Sequence, residues 1–289
     1  MSSEIKTTVI AVSTEKGGTG KTTTACNLAA GLALKEKFAG GQGVVVLVDV
    51  DPQGDSAKFW GVHGRVYHEE RNPDGPCISD VLLGDAAVGD ALIPLRDNLY
   101  LLPASARLKD AEFELITREV LAAGGRARRK HVPLPDVLKA RLQPLMGVAR
   151  WIVIDCAPHM GPLEPAVFNF ADWVVAPVQL QYLSAAGVSQ HTETLDGHIL
   201  RGEAKSKLAF ILPTMVSVRD GEPWQNGERQ MLEAVVKAYG KSKVLAPVPD
   251  SVIVEQSPGV HQSIFEFGPA SAGAVRAYAN LVEKVYHVG

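Results

Sequence analysis

The chain has 289 residues, 46% of them hydrophobic and 21% charged, with a formal net charge of −3. That is enough apolar material for one large α/β domain, and the slightly acidic balance excludes a whole-molecule basic field, so any nucleic-acid contact must use a local patch. Cys26, Cys77 and Cys156 form no Cys-x-x-Cys pair, no apolar run reaches membrane-span length, and residues 1–8 lack a signal-peptide core; together these predict a reduced, cytoplasmic protein with no membrane attachment.

Thr8–Ser13 (TVIAVS) is apolar and β-rich and predicts a strand running straight into a glycine-rich loop. Thr22–Lys35 follows with good helix formers, including Leu28, Ala29, Ala30 and Leu32. After a Gly40–Gly43 turn, Val44–Val48 is apolar without alternation, the pattern of a strand buried on both faces. Leu99–Leu102, Trp151–Ile154, Trp173–Val178, Leu208–Leu212 and Val244–Val248 repeat it. Helix-like stretches at Ile78–Leu83, Ala106–Ala122, Leu134–Leu145, Ser184–Leu200, Glu228–Tyr239 and Ser271–Val285 separate most of these runs. The alternation predicts a single doubly wound α/β domain with a mostly parallel sheet. Two irregular stretches, 62–77 and 124–135, read as surface insertions, the second carrying Arg126, Arg128, Arg129 and Lys130.

Lys16-Gly17-Gly18-Thr19-Gly20-Lys21-Thr22-Thr23 stands between the first strand and the first helix. Ligands of such sheets bind beyond the carboxyl ends of the strands. Glycines let backbone N–H groups converge on a phosphate, and the following helix directs its positive dipole end there. Lys21 is then expected at the β- and γ-phosphates, the Thr22 hydroxyl on Mg²⁺, and Thr23 near the α-phosphate. The ordinary pattern G-x-x-x-x-G-K-[ST] is broken by Glu15, and an additional lysine, Lys16, opens the loop.

Val44–Val48 ends in Asp49-Val50-Asp51-Pro52-Gln53-Gly54, and Trp151–Ile154 ends in Asp155-Cys156-Ala157-Pro158. Acids at the carboxyl ends of strands beside the first one would face the phosphates, where they can orient water or hold the metal shell. Asp155 reads as a Walker B acid.

In this order, K-G-G-T-G-K-T-T, D-V-D-P-Q-G and I-V-I-D-C-A-P resemble the deviant Walker A ATPases of the ParA/MinD family, with the closest likeness to short, Soj-like ParA partition proteins. Ala176-Pro177-Val178-Gln179 and the closing Val248-Pro249-Asp250-Ser251 segment extend the likeness over nearly the whole chain. The resemblance implies a single P-loop domain that binds ATP with Mg²⁺ and hydrolyses it as an ATP-dependent homodimer. Lys16 would reach the partner's nucleotide, Asp51 would position the hydrolytic water, Asp49 would support the metal and phosphate shell, and Asp155 would be the Walker B acid. Pro249 and Ser251 would lie on the adenine side. A ParB-type partner would stimulate hydrolysis, and the ATP-bound dimer would hold non-specific DNA at the nucleoid.

Arg219 matches one position used for DNA contact in the family, whereas the arginines flanking the adenine segment are replaced by Asp250 and Ile253. Substitutes are Lys237, Lys241 and Lys243, with Arg201, Lys205, Lys207 and the Arg126–Lys130 run as further candidates. The phosphate loop so near residue 1 implies no preceding DNA-binding domain, and 280–289 lacks a basic amphipathic membrane tail. A second class stays open, a small-molecule or metal-carrier enzyme on the same superfamily fold.

Overall fold

The structure is a computed structural model. It describes residues 5–41, 43–63, 75–125, 131–180, 205–219, 222–223 and 226–289, with backbone alone at 218–219 and 222–223. The expected helix at 184–200, the basic run 126–130, Arg201 and most of the 62–77 insertion lie outside the described residues.

The elements are β1 (Thr8–Val12), α1 (Lys21–Phe38), β2 (Val44–Val50), α2 (Asp55–Phe59), α3 (Ile78–Leu83), α4 (Val88–Ala91), β3 (Ile93–Arg96), β4 (Leu99–Leu102) and α5 (Leu108–Ala123). Then come α6 (Val137–Leu142), β5 (Ala149–Cys156), α7 (Glu164–Phe170), β6 (Trp173–Gln179), β7 (Lys207–Thr214) and a two-residue pair, β8 (Val218–Arg219) with β9 (Glu222–Pro223). The helices α8 (Asn226–Tyr239), α9 (Val252–Gln256), α10 (Ile264–Phe267) and α11 (Gly273–Val288) complete it.

Seven strands form one sheet in the order β3-β4-β2-β5-β1-β6-β7. All neighbours are parallel except the edge pair β3/β4. The central strands are apolar along most of their length, with Asp49 and Asp155 at their carboxyl ends, because both faces are covered. On β1, Ile10 and Val12 pack into one core with α1 and α11, while Val9 and Ala11 pack into the other with α3, α6 and α7. Trp151 and Val153 of β5 join the first core, Ile152 and Ile154 the second. This is the doubly wound arrangement the unbroken apolar runs predict.

Two expectations differ in detail. Val244–Val248 forms no continuous strand: it meets β7 and the residues after it through isolated bridges at Ile211↔Val244 and Val216↔Pro249 and a few single backbone hydrogen bonds. Pro247 and Pro249 remove the donors a continuous ladder would need. Leu134–Leu145 is not one helix, because Pro135 and Pro144 divide it into 3₁₀ turns flanking the six-residue α6. A strand the sequence reading passed over, β3, pairs back on β4 through a turn at Asp97-Asn98, where Asn98 takes a positive φ of 50°.

Candidate functional site

β1 sits between β5 and β6, so the loop leaving it emerges at the centre of the sheet's carboxyl edge. Gly18 and Gly20 adopt left-handed φ values of 74° and 79°, which lets the chain fold tightly before α1 starts at Lys21. The loop is braced from both sides. Thr14 and Thr19 hydroxyls pair at 2.9 Å, Gln179 at the end of β6 donates to the Gly18 carbonyl at 2.8 Å, and Thr214 at the end of β7 donates to the Thr19 carbonyl at 2.9 Å. Gly17, Gly18 and Lys16 are exposed along the loop, whereas Lys21 is nearly covered.

Lys21 Nζ donates to the Lys16 carbonyl at 2.9 Å. Burial lowers the Lys21 pKa, opposed chiefly by the nearby Asp155 carboxylate. Lys21, Thr22, Thr23, Gly18, Gly20 and Asp51 line a cleft of about 610 Å³, whose far wall carries Lys109 and His159. A neighbouring cavity of about 350 Å³ is lined by Gly20, Thr23, Pro249, Ser251 and Tyr278. The two adjoin at Gly20, Thr23 and Met215. Met215 holds a left-handed φ of 54° at this junction, a strained conformation of a kind that gathers at ligand clamps.

Asp49 and Asp155 are register partners on β2 and β5, and both are fully buried. Asp49 gives one oxygen to the Asp51 amide at 2.9 Å and the other to the Ser56 amide at 3.3 Å. Asp155 Oδ2 accepts from the Ser56 hydroxyl at 2.9 Å, while its Oδ1 is buried with no close hydrogen-bond partner among the described residues. Burial, with repulsion from Asp155, pushes the Asp49 pKa well up. Burial also raises Asp155 to about 7, against hydrogen bonds from Ser56 and Thr22 that hold it down. Asp51 lies on the following loop, half-buried, and accepts from the Gln53 amide at 2.9 Å. Gly54 closes that loop at φ 61°, so near β4's exit that an added Cβ would meet the Ala104 carbonyl at 2.8 Å.

The Asp155 oxygen with no close hydrogen-bond partner, near the Thr22 hydroxyl, fits a hard divalent cation. Among the described residues no three His, Cys, Asp or Glu side chains gather to hold a metal by themselves. A cation here would therefore complete its shell with phosphate oxygens and water, as Mg²⁺ does.

The structure thus brings together Gly17 to Thr23, Asp49, Asp51 and Asp155 at one edge, with Pro249 and Ser251 beside them. Sequence reasoning missed Ser56, Lys109 and Met215: none carries a motif, and each reaches the site only through the packing of its element. Lys237, Lys241 and Lys243 are exposed at the end of α8 and just after it, flanking β7. Of Arg219 the structure describes the backbone, on β8. No helix among the described residues is long and apolar enough to cross a membrane.

A family model described as an AAA domain matches residues 7–210. The sporulation initiation inhibitor protein Soj of Bacillus subtilis is 31% identical over 283 residues, covering 96% of this chain and 97% of that protein. Among solved structures, an ATP complex of a Cyanothece McdA variant superposes with a TM-score of 0.77 at 20% identity, covering 99% of this chain and 97% of that one, a likeness of fold. A Mycobacterium smegmatis protein described as cobyrinic acid a,c-diamide synthase, with bound ATP analogue and magnesium, gives 0.71 at 27% identity, covering 97% and 95%. With its phosphate loop, paired strand-end acids and near full-length likeness to Soj, the chain belongs to the ParA/MinD family of P-loop ATPases, on its Soj-like partition branch.

Proposed function

We propose that this chain is an ATP-driven partition ATPase that works as a nucleotide-sandwiching dimer and releases its cargo track when a partner triggers hydrolysis. The observation that carries the reading is the juxtaposition of the braced loop, Lys21 and Asp51 around one cleft, with Asp155 buried beside Thr22 behind it.

The loop amides and the α1 dipole bind the phosphates of ATP. Lys21 leaves the Lys16 carbonyl for the β- and γ-phosphates. Thr22 and Asp155 would hold Mg²⁺, with Asp49 supporting the metal shell while its carboxylate anchors the Asp51 and Ser56 amides. Bound Mg²⁺ supplies neutralisation of the charge that develops on the transferring phosphoryl group. Asp51 orients the attacking water from the cleft wall. Lys16, exposed at the mouth, reaches the partner's nucleotide, which makes hydrolysis depend on dimerisation. Pro249 and Ser251 border the adenine.

The ATP-bound dimer holds non-specific DNA, placing it at the nucleoid, through Lys237, Lys241 and Lys243 together with Arg219. A ParB-type activator bound to cargo ends that state. The test is DNA retardation with and without ATP across a salt series. Retardation that requires ATP and falls with salt at a log–log slope near −0.9 per phosphate contact supports the reading, and salt-insensitive or ATP-independent retardation overturns it. The likeness to the M. smegmatis protein favours one second reading, an ATP-dependent small-molecule synthase. ATP turnover coupled one-to-one to an amidated product, with no response to DNA, would select it.

A further inference from the structure

Ser56 has no part in the phosphate-loop and strand-end motifs, yet it hydrogen-bonds to both buried acids. It is fully covered at the second position of α2. Its backbone N–H donates to Asp49 Oδ2 at 3.3 Å and its hydroxyl donates to Asp155 Oδ2 at 2.9 Å. From the other side, the Cys26 thiol of α1 donates to Ser56 Oγ at 3.7 Å, which leaves the hydroxyl proton for Asp155.

The two carboxylates start from near-equivalent positions, opposite each other on adjacent parallel strands. Neighbouring strands lie about 4.8 Å apart, so two such acids repel and neither is solvated. Ser56 breaks the equivalence. Asp49 has both oxygens occupied by amides, those of Asp51 and Ser56. Asp155 has one oxygen occupied and one left over. The acid with the spare oxygen is the one beside Thr22 and Lys21.

We propose that Ser56 is a positioning residue for the metal-side acid: its hydroxyl fixes the Asp155 carboxylate so that Oδ1 alone is presented to the divalent cation. This rests on the reading of Asp155 as the metal-side acid given above. Ser56 follows the Asp51 loop by five residues, through Gly54 packed on the Ala104 carbonyl. The water-orienting acid and the group that aims the metal acid thus sit five residues apart on one turn.

The experiment measures two affinities on the full chain. Nucleotide binding is titrated with a non-hydrolysable ATP analogue in EDTA. Mn²⁺ binding to the protein–analogue complex is followed by electron paramagnetic resonance. Ser56→Ala is expected to weaken Mn²⁺ binding about 10- to 100-fold, the usual effect of removing a hydrogen bond behind a metal ligand, with metal-free nucleotide affinity unchanged. Ser56→Thr, which keeps the hydroxyl, is expected to recover most of the loss. A lower melting temperature for Ser56→Ala with Mn²⁺ affinity at the wild-type value would reduce Ser56 to a packing role and overturn the inference. Asp155→Asn is the reference: if it weakens Mn²⁺ binding while Ser56→Ala does not, only the inference fails. If Asp155→Asn has no effect on Mn²⁺, the assignment of the acid itself falls.

Discussion

The ammonium group of Lys21 rests 2.9 Å from the carbonyl oxygen of Lys16, so the two lysines of the loop are joined by one hydrogen bond between the side chain of the inner and the backbone of the outer. Burial already lowers the Lys21 pKa, and phosphate oxygens are its natural counter-charges. Lys21→Ala removes a charge-assisted contact of about 1.5–3 kcal/mol. Calorimetric titration with ATP is expected to show affinity weaker by roughly 10- to 100-fold on that scale. Unchanged affinity would remove Lys21 from the phosphate site.

Asp51 lines the cleft wall without being needed to build it, since the carboxylate's one described hydrogen bond is from the Gln53 amide on its own loop. Asp51→Ala should keep ATP affinity while turnover falls by about 100-fold or more, the scale of a lost general base or water-orienting group. In light scattering with ATP the variant should accumulate as a dimer. A monomer peak under saturating ATP would count against the sandwich.

Gly31 offers a test of packing against propensity. In the interior of α1, alanine is favoured over glycine by about 1 kcal/mol. Here a Cβ would lie 2.8 Å from Phe265 Cε2 and closer still to Val282 Cγ2, on α10 and α11. Overpacking of that kind costs about 1–3 kcal/mol, so Gly31→Ala is expected to lower the melting temperature by a few degrees. A rise would mean that Phe265 and Val282 can move aside freely.

Glu266 gives a pH-dependent signature. Burial alone would raise its pKa, but the Arg96 guanidinium at 2.7 Å and the Ser263 amide and hydroxyl, each at 2.8 Å, hold it below the ordinary value. A carboxylate depressed in the fold contributes stability above its unfolded pKa and loses it as pH falls through the folded one. The melting-temperature gap between wild type and Glu266→Gln should be present at neutral pH and close on acidification below about pH 4. A gap that stays constant down to pH 3 would assign the effect to packing.

The parallel core was legible because strands buried on both faces have no polar alternation, and the loop because glycines and a lysine before a helix leave few other readings. Asp49 and Asp155 were legible as strand-end acids, but their different hydrogen bonding was not, since Ser56 comes from another element. β3 escaped notice because Pro94 and Arg96 dilute a strand of four residues. Val244–Val248 misled because its apolar run is that of a strand, while Pro247 within it and Pro249 just after it break a continuous ladder. Side-chain reach at the site, as for Lys109 and Met215, is a property of tertiary packing and leaves no local signal.

Both lateral margins of the sheet are closed to further strands. At one, β3 is short, shifts register between Pro94 and Arg96, and has a proline that cannot donate. At the other, Ile211 exchanges backbone hydrogen bonds with Lys243 and Leu245, and Val248 donates to Pro213, so the 243–250 segment caps β7. Edge-to-edge β-pairing between copies of this chain is thereby disfavoured.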